Sequence, residues 1–227
     1  VLEEILPAAA VAATRGEIAG ATLFPAEQAL VARAVEKRRR EFATARACAR
    51  QALAKLGVAP QAIPAGAAGA PVWPAGIVGS ITHCDGYRAC AVARAGDLAA
   101  IGIDAEPNRP LPAGLLADVA LPGELPRLEA LHREAPEIHW DRLFFCAKEA
   151  VYKAWFPLAG RWLGFGDAEV EIDLPSGAFT ARLRVPGPIL AAGELTGFAG
   201  RWLVRDGIAL AAVAVPPQAG APWPRGF

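Results

Sequence analysis

Two periodicities share this chain, and the change from one to the other divides it into blocks. Residues 26 to 57 are dominated by Ala, Leu, Val and Arg. Pro25 can sit in a first helical turn there and Gly57 can close the last one, so a single long helix with a basic side is predicted. From Pro60 to Gly76 proline, glycine and alanine recur without a period, which predicts a loop ending at Trp73-Pro74. Short apolar or alternating runs follow at Gly79–His83, Ala89–Arg94 and Leu98–Asp104, separated by turn residues, and read as neighbouring strands or as a strand–turn–helix entry. Pro107-Asn108-Arg109-Pro110 and Pro112 break the pattern. A second helix is predicted from Trp140 to Phe156, ended by Pro157, and then strands at 168–174, 179–185, 200–205 and 208–215.

The order helix, strands, helix, strands predicts an α+β fold of two lobes of similar make-up. The division falls in the proline-rich break: an N-terminal lobe over residues 1–108, a C-terminal lobe over 109–215, and a proline- and glycine-rich tail over 216–227 expected to be mobile. With 227 residues, 54% of them hydrophobic, there is enough apolar surface for one large core or two of roughly 100 residues each. Lys+Arg and Asp+Glu both total 23, so no global basic field favours nucleic acid. No apolar run reaches the roughly 18 residues of a membrane span. The four cysteines form no CxxC pair, which points away from a zinc or disulfide framework and toward a reducing cytoplasm.

Four segments could carry chemistry. In Ile101-Gly102-Ile103-Asp104-Ala105-Glu106, an extended backbone turns Asp104 and Glu106 to one side, where a hard divalent cation with oxygen ligands would relieve their repulsion. The ordinary alternative is a solvated strand end. On the second helix, spacings of three and four place Cys146, Glu149 and Lys153 on one face, so a carboxylate could face a metal with an ammonium one turn on. An exposed Glu149–Lys153 pair is the alternative, although the flanking Phe144-Phe145 and Trp155-Phe156 suggest that the pair is set into a cleft. In Gly79-Ser80-Ile81-Thr82-His83, the hydroxyls and the imidazole could donate to phosphate, or His83 could be structural. On the basic helix, Arg38, Arg46 and Arg50 could align for phosphate contacts, or simply face water.

Taken together and in this order, these strings resemble the 4'-phosphopantetheinyl transferases of the large, monomeric, Sfp-type class, in its actinobacterial branch. The likeness is carried by Gly79-Ser80-Ile81-Thr82-His83-Cys84, by Gly102-Ile103-Asp104-Ala105-Glu106-Pro107, and by the long run from Trp140 to Leu158 that contains Lys148-Glu149-Ala150-Val151-Tyr152-Lys153. It covers most of residues 38–165. The resemblance implies two pseudo-duplicated α+β lobes, each a small sheet packed with a long helix, and an active site in the cleft between them. It implies that Asp104, Glu106 and Glu149 hold magnesium. Glu149, Lys153 and His83 would be the catalytic groups, with Glu149 taking the proton of the acceptor serine. Coenzyme A, as co-substrate, would be held by Arg38, Arg46, Ser80, His83, Lys148 and Lys153. The family loop before Trp73 usually carries a lysine; here Ala65–Pro71 has none.

The expected activity is transfer of 4'-phosphopantetheine from coenzyme A to a carrier serine, with release of 3',5'-ADP. Expected partners are acyl carrier proteins and the carrier domains of fatty-acid, polyketide and nonribosomal peptide synthases, met by a monomeric enzyme that engages neither nucleic acid nor membrane. Three carboxylates around a metal also suit a phosphohydrolase, and a non-catalytic coenzyme A-binding module is a further alternative. For Arg142, a carrier contact and a solubilising role are both open.

Overall fold

The computed structural model describes residues 1–16, 18, 20–191 and 193–217. The predicted tail lies almost wholly outside these described residues.

Elements follow in the order β1 (Val11–Arg15), α1 (Pro25–Leu30), α2 (Glu36–Lys55), β2 (Ile77–Cys84), β3 (Tyr87–Arg94), β4 (Ala100–Pro107), α3 (Leu115–Val119), α4 (Leu125–Glu134) and α5 (Trp140–Ala159), then β5 (Ala168–Asp173), β6 (Ala178–Leu183), β7 (Ile189–Leu190), β8 (Gly193–Glu194), β9 (Gly197–Arg205) and β10 (Ile208–Val215). The fold mixes helix and sheet, as expected. Strands assemble as a three-stranded sheet β1-β3-β2, a five-stranded sheet β4-β10-β9-β6-β5 and a small β7-β8 pair. Each long helix covers one of the larger sheets. Small residues on α2 (Cys48, Ala49, Ala52) lie against Cys90 and Val92 of β3, while α5 buries Phe144, Ala147, Val151 and Trp155 on the five-stranded sheet. Period-two alternation does the rest: Ala89, Ala91 and Ala93 point the other way, onto Ile101, Ile103, Leu210 and Ala212, and close a core between the two sheets.

The predicted 26–57 helix is broken in two. Glu27 is fully buried; its carboxylate accepts from Phe24 N, Ile63 N and Arg50 Nη1, while Arg39 donates to the carbonyls of Val31 and Ala32. These bonds satisfy the end of α1 and hold it across α2 rather than in line with it, so a tertiary ion pair overrides a continuous helical composition. At the other helix, Pro157 lies inside the last turn and Gly160, at φ +63°, is the true stop, its N–H closing on Phe156 O. Proline removes one N–H from the ladder without preventing the next residues from bonding. The short helices α3 and α4 and the strand β1 carry too little pattern to be seen in the sequence.

Two features position the site. The β2–β3 hairpin turns at Asp85-Gly86, with Gly86 at φ +72°, and so fixes the register that pairs Cys84 with Tyr87. At Gly102 of β4 the backbone of α5 passes so near that a methyl group there would sit 1.9 Å from Ala150 O. The expected lobe division at residue 108 falls after β4, a strand whose ladder runs to β10 of the five-stranded sheet. Among the described residues, no helix is long and apolar enough to cross a membrane.

Candidate functional site

β2 and β4 lie side by side without a backbone ladder, and hydroxyl groups join them. Ser80 Oγ accepts from Ile103 N at 3.1 Å, and Thr82 Oγ1 accepts from Ala105 N at 3.0 Å. The N–H groups of Ile103 and Ala105 face away from β10, so each is buried and would be costly to leave unpaired. Ser80 and Thr82, whose hydroxyls were expected to donate to phosphate, each accept one strand N–H at this seam, and the Thr82 proton goes to Asp104.

Where the seam ends, Asp104 is 5% exposed. Its Oδ1 accepts from Thr82 Oγ1 at 3.0 Å and from Lys153 Nζ at 2.7 Å, whereas its buried Oδ2 has no N–H or O–H donor. Lys153 reaches it from α5 because α5 rides directly on β4. Burial by itself would lower the Lys153 pKa, but the Asp104 carboxylate, its hydrogen bond and Glu149 outweigh that and raise it, so the ammonium is secure at neutral pH. Glu106, two residues on, is held by Arg142 Nη1 at 2.9 Å. Its pKa is raised by burial and next by Asp104, against the pull of Arg142.

Glu149 stands one turn before Lys153. Its pKa is raised by burial first and then by Asp104, with Lys153 opposing and Glu106 adding. The three acids therefore feel one another across a single region. They do not form a ready-made ligand cluster: among the described residues no three His, Cys, Asp or Glu side chains are arranged to hold a metal ion. Lys153 and Arg142 currently supply the positive charge that such a group needs. Glu149 also lines a crevice of about 200 Å³ with Tyr152, Trp162, Leu163 and Phe165, in which Trp162 is 71% exposed and packs at a tilt of 53° against Tyr152 with ring centres 4.7 Å apart.

His83 projects from the opposite side of β2 to Ser80 and Thr82 and meets the basic helix there. Arg38 Nη1 lies 3.0 Å from His83 Nε2. A guanidinium can only donate, so Nε2 accepts and Nδ1 carries the proton of the neutral ring. Loss of water on its buried side, then Arg38, hold the imidazole below its ordinary 6.5, with Glu41 opposing.

Other expected contacts are engaged elsewhere. Arg46 is buried, with Nε donating to Ile63 O and the guanidinium 4.3 Å from the centre of the Phe42 ring. Arg50 is tied to Glu27. Lys148 points away from the seam: its ammonium donates to Glu124 Oε2 at 2.9 Å, Phe165 O at 2.8 Å and Ala168 O at 3.1 Å, so all three of its protons are used. Helical spacing explains the difference, since five residues separate Lys148 from Lys153 and turn the two to different faces. Arg142, left open between carrier contact and solubility, straps the 107–112 connection to α5 through the carbonyls of Arg109 and Pro110 as well as through Glu106. The sequence signal for Arg142 was only its positive charge near the expected cleft, which does not separate these roles.

Two family models match this chain: the 4'-phosphopantetheinyl transferase N-terminal domain over residues 26–93, and the 4'-phosphopantetheinyl transferase superfamily over residues 100–199. The chain is 56% identical over 198 residues to the 4'-phosphopantetheinyl transferase Svp of Streptomyces mobaraensis, covering 87% of this chain and 80% of that one. It is 52% identical over 198 residues to Npt of Nocardia iowensis (84% and 88% covered) and 48% identical over 200 residues to PptT of Mycobacterium tuberculosis (86% and 87% covered), both likewise named 4'-phosphopantetheinyl transferases.

Proposed function

The chain belongs to the 4'-phosphopantetheinyl transferase superfamily, in its actinobacterial branch, and from that premise we infer how its residues perform the transfer. It is a transferase that moves 4'-phosphopantetheine from coenzyme A to a carrier protein. In our reading the site lies in a cleft between two pseudo-duplicated lobes, where the β2–β4 seam meets the α5 face that carries Glu149 and Lys153.

The acceptor serine Oγ forms a bond to the phosphorus that bears pantetheine, the bond from that phosphorus to the bridging oxygen breaks, and 3',5'-ADP leaves. Glu149 takes the serine proton. Its raised pKa brings it closer to the pKa at which a carboxylate both accepts a proton readily and remains ionised at neutral pH. Lys153 offsets charge gathering on the leaving oxygen, His83 donates toward a phosphoryl oxygen, and Arg38 beside it meets the anionic nucleotide end. The crevice of Tyr152, Trp162, Leu163 and Phe165 lies beside Glu149, where it would receive part of the pantetheine arm.

Asp104, Glu106 and Glu149 also suit a magnesium ion. All three are hard oxygen donors, two of them have pKa values raised in part by their neighbours' charge, and Asp104 Oδ2 is a buried acceptor without an N–H or O–H donor. When bound, magnesium supplies neutralising charge at the diphosphate. That buried Asp104 oxygen without an N–H or O–H donor, in a strand end facing Lys153 and Glu149, is the single observation that carries this reading.

We extend the partners to carrier domains of fatty-acid, polyketide and nonribosomal peptide synthases, served by a monomer. A cytoplasmic setting agrees with four cysteines that form no CxxC pair. The test is intact-mass measurement of an apo carrier incubated with coenzyme A and magnesium. The wild-type chain adds one phosphopantetheine per carrier, and Glu149→Gln lowers the initial rate by about 100- to 10,000-fold. Coenzyme A hydrolysis without carrier modification would refute the transfer, and near-normal rates for Glu149→Gln would refute the assigned base.

A further inference from the structure

The geometry points to Thr82 as the positioning residue that orients Asp104 for a divalent cation, a role separate from any contact with substrate. The inference rests on the metal role proposed for Asp104. It starts from an asymmetry within one carboxylate: Oδ1 receives two strong donors, Thr82 Oγ1 at 3.0 Å and Lys153 Nζ at 2.7 Å, and Oδ2 receives no N–H or O–H donor, the weakly donating Cys146 thiol being the further side chain against this group. A buried carboxylate free to turn about its Cβ–Cγ bond would share its donors between both oxygens, because an unmet acceptor out of water is costly.

Thr82 can prevent that turning because it is itself held at two points. It is 2% exposed on β2, its single hydroxyl proton goes to Asp104 Oδ1, and a lone pair accepts the N–H of Ala105, the residue after Asp104. One side chain thus fixes both the strand that carries the carboxylate and the rotation of the carboxylate on that strand. Lys153 cannot do this alone, since an ammonium on a flexible stem follows whichever oxygen is presented. Groups that hold a ligating carboxylate in this way govern metal affinity without touching the ion.

The test uses manganese(II) as probe, with free ion counted by electron paramagnetic resonance while the whole chain is titrated in the presence of coenzyme A. Thr82→Val, which keeps the shape and removes the hydroxyl, is expected to weaken manganese binding by about 10- to 100-fold. Thr82→Ser restores the affinity, and Thr82→Cys, a weaker donor of similar size, falls between the two; the cysteine variant carries the test if the valine variant does not fold. Thr44→Val controls for loss of any buried threonine hydroxyl: Thr44 is fully buried on α2, its Oγ1 accepts from Ile18 N, and its replacement lowers the melting temperature while manganese affinity stays at the wild-type value. Wild-type affinity in folded Thr82→Val or Thr82→Cys overturns the role of Thr82 and leaves the proposed function standing. Failure of the wild-type chain to bind manganese overturns the metal reading, and this inference falls with it.

Discussion

Replacing Lys148 by methionine separates the two lysines of α5 by experiment. Lys148 and Glu124 form an ion pair whose side chains are 2% and 1% exposed. Glu124 also accepts from Leu121 N and Val170 N, so this one pair ties the start of α4, the middle of α5 and β5 together. Burial lowers the Lys148 pKa and the Glu124 bond and charge oppose it, the balance of an ammonium taken out of water for a partner. Methionine fills the same length without charge, stranding the Glu124 carboxylate and leaving the carbonyls of Phe165 and Ala168 without this donor. Breaking one half of a buried pair costs about 3–5 kcal/mol. At 2–4 °C per kcal/mol for a chain of this size, the melting temperature should fall by about 6–20 °C. The double change Glu124→Gln, Lys148→Met removes both charges and should recover part of that loss. Measured well below the melt, carrier labelling by Lys148→Met stays within a few-fold of wild type, whereas Lys153→Met loses labelling by orders of magnitude. A Lys148→Met chain that melts like wild type yet labels poorly would refute the structural assignment and return Lys148 to the coenzyme.

The Arg38–His83 contact carries a pH dependence with a definite sign. Because the folded pKa lies below the ordinary 6.5, the contact's contribution to stability is present above 6.5 and lost as pH falls through the folded value. Thermal melts of wild type and His83→Gln should therefore diverge at neutral pH and converge on the acid side, and parallel curves would argue against the neutral tautomer. Gly102→Ala should be among the most damaging single changes: its methyl would lie 1.9 Å from Ala150 O and 2.6 Å from Ala154 N, backbone atoms that move only if α5 lifts from β4. A melting temperature lower by at least about 10 °C is expected, and a near-normal melt with full carrier labelling would show that the helix-to-strand distance does not set the site.

The elements themselves were largely legible. Short apolar or alternating runs located β2, β3, β4, β5, β6, β9 and β10, whereas the Asp85-Gly86 turn that joins β2 to β3 was not singled out in the sequence. Helical spacing put Glu149 and Lys153 on one face of α5. The errors came where a distant partner overrules local composition. Residues 26–57 read as one helix because nothing within them signals that Glu27 pairs with Arg50 and Ile63 N across a bend.

Within the site, the chain by itself determined the chemical inventory: two carboxylates on one side of a strand end, a third acid and an ammonium a helical turn apart, and a histidine beside arginines. These follow from backbone periods of 2 and 3.6, which act over a few residues and need no knowledge of the rest of the fold. Only the tertiary structure decided how that inventory is spent. Asp104 meets Lys153 across 49 residues, Lys148 is consumed by Glu124 across 24, and Ser80 and Thr82 accept the N–H groups that join β2 to β4. The reason is physical: hydrogen-bond demand is settled by whichever buried N–H or carboxylate packing brings within about 3 Å, and that neighbour is absent from any local window of sequence.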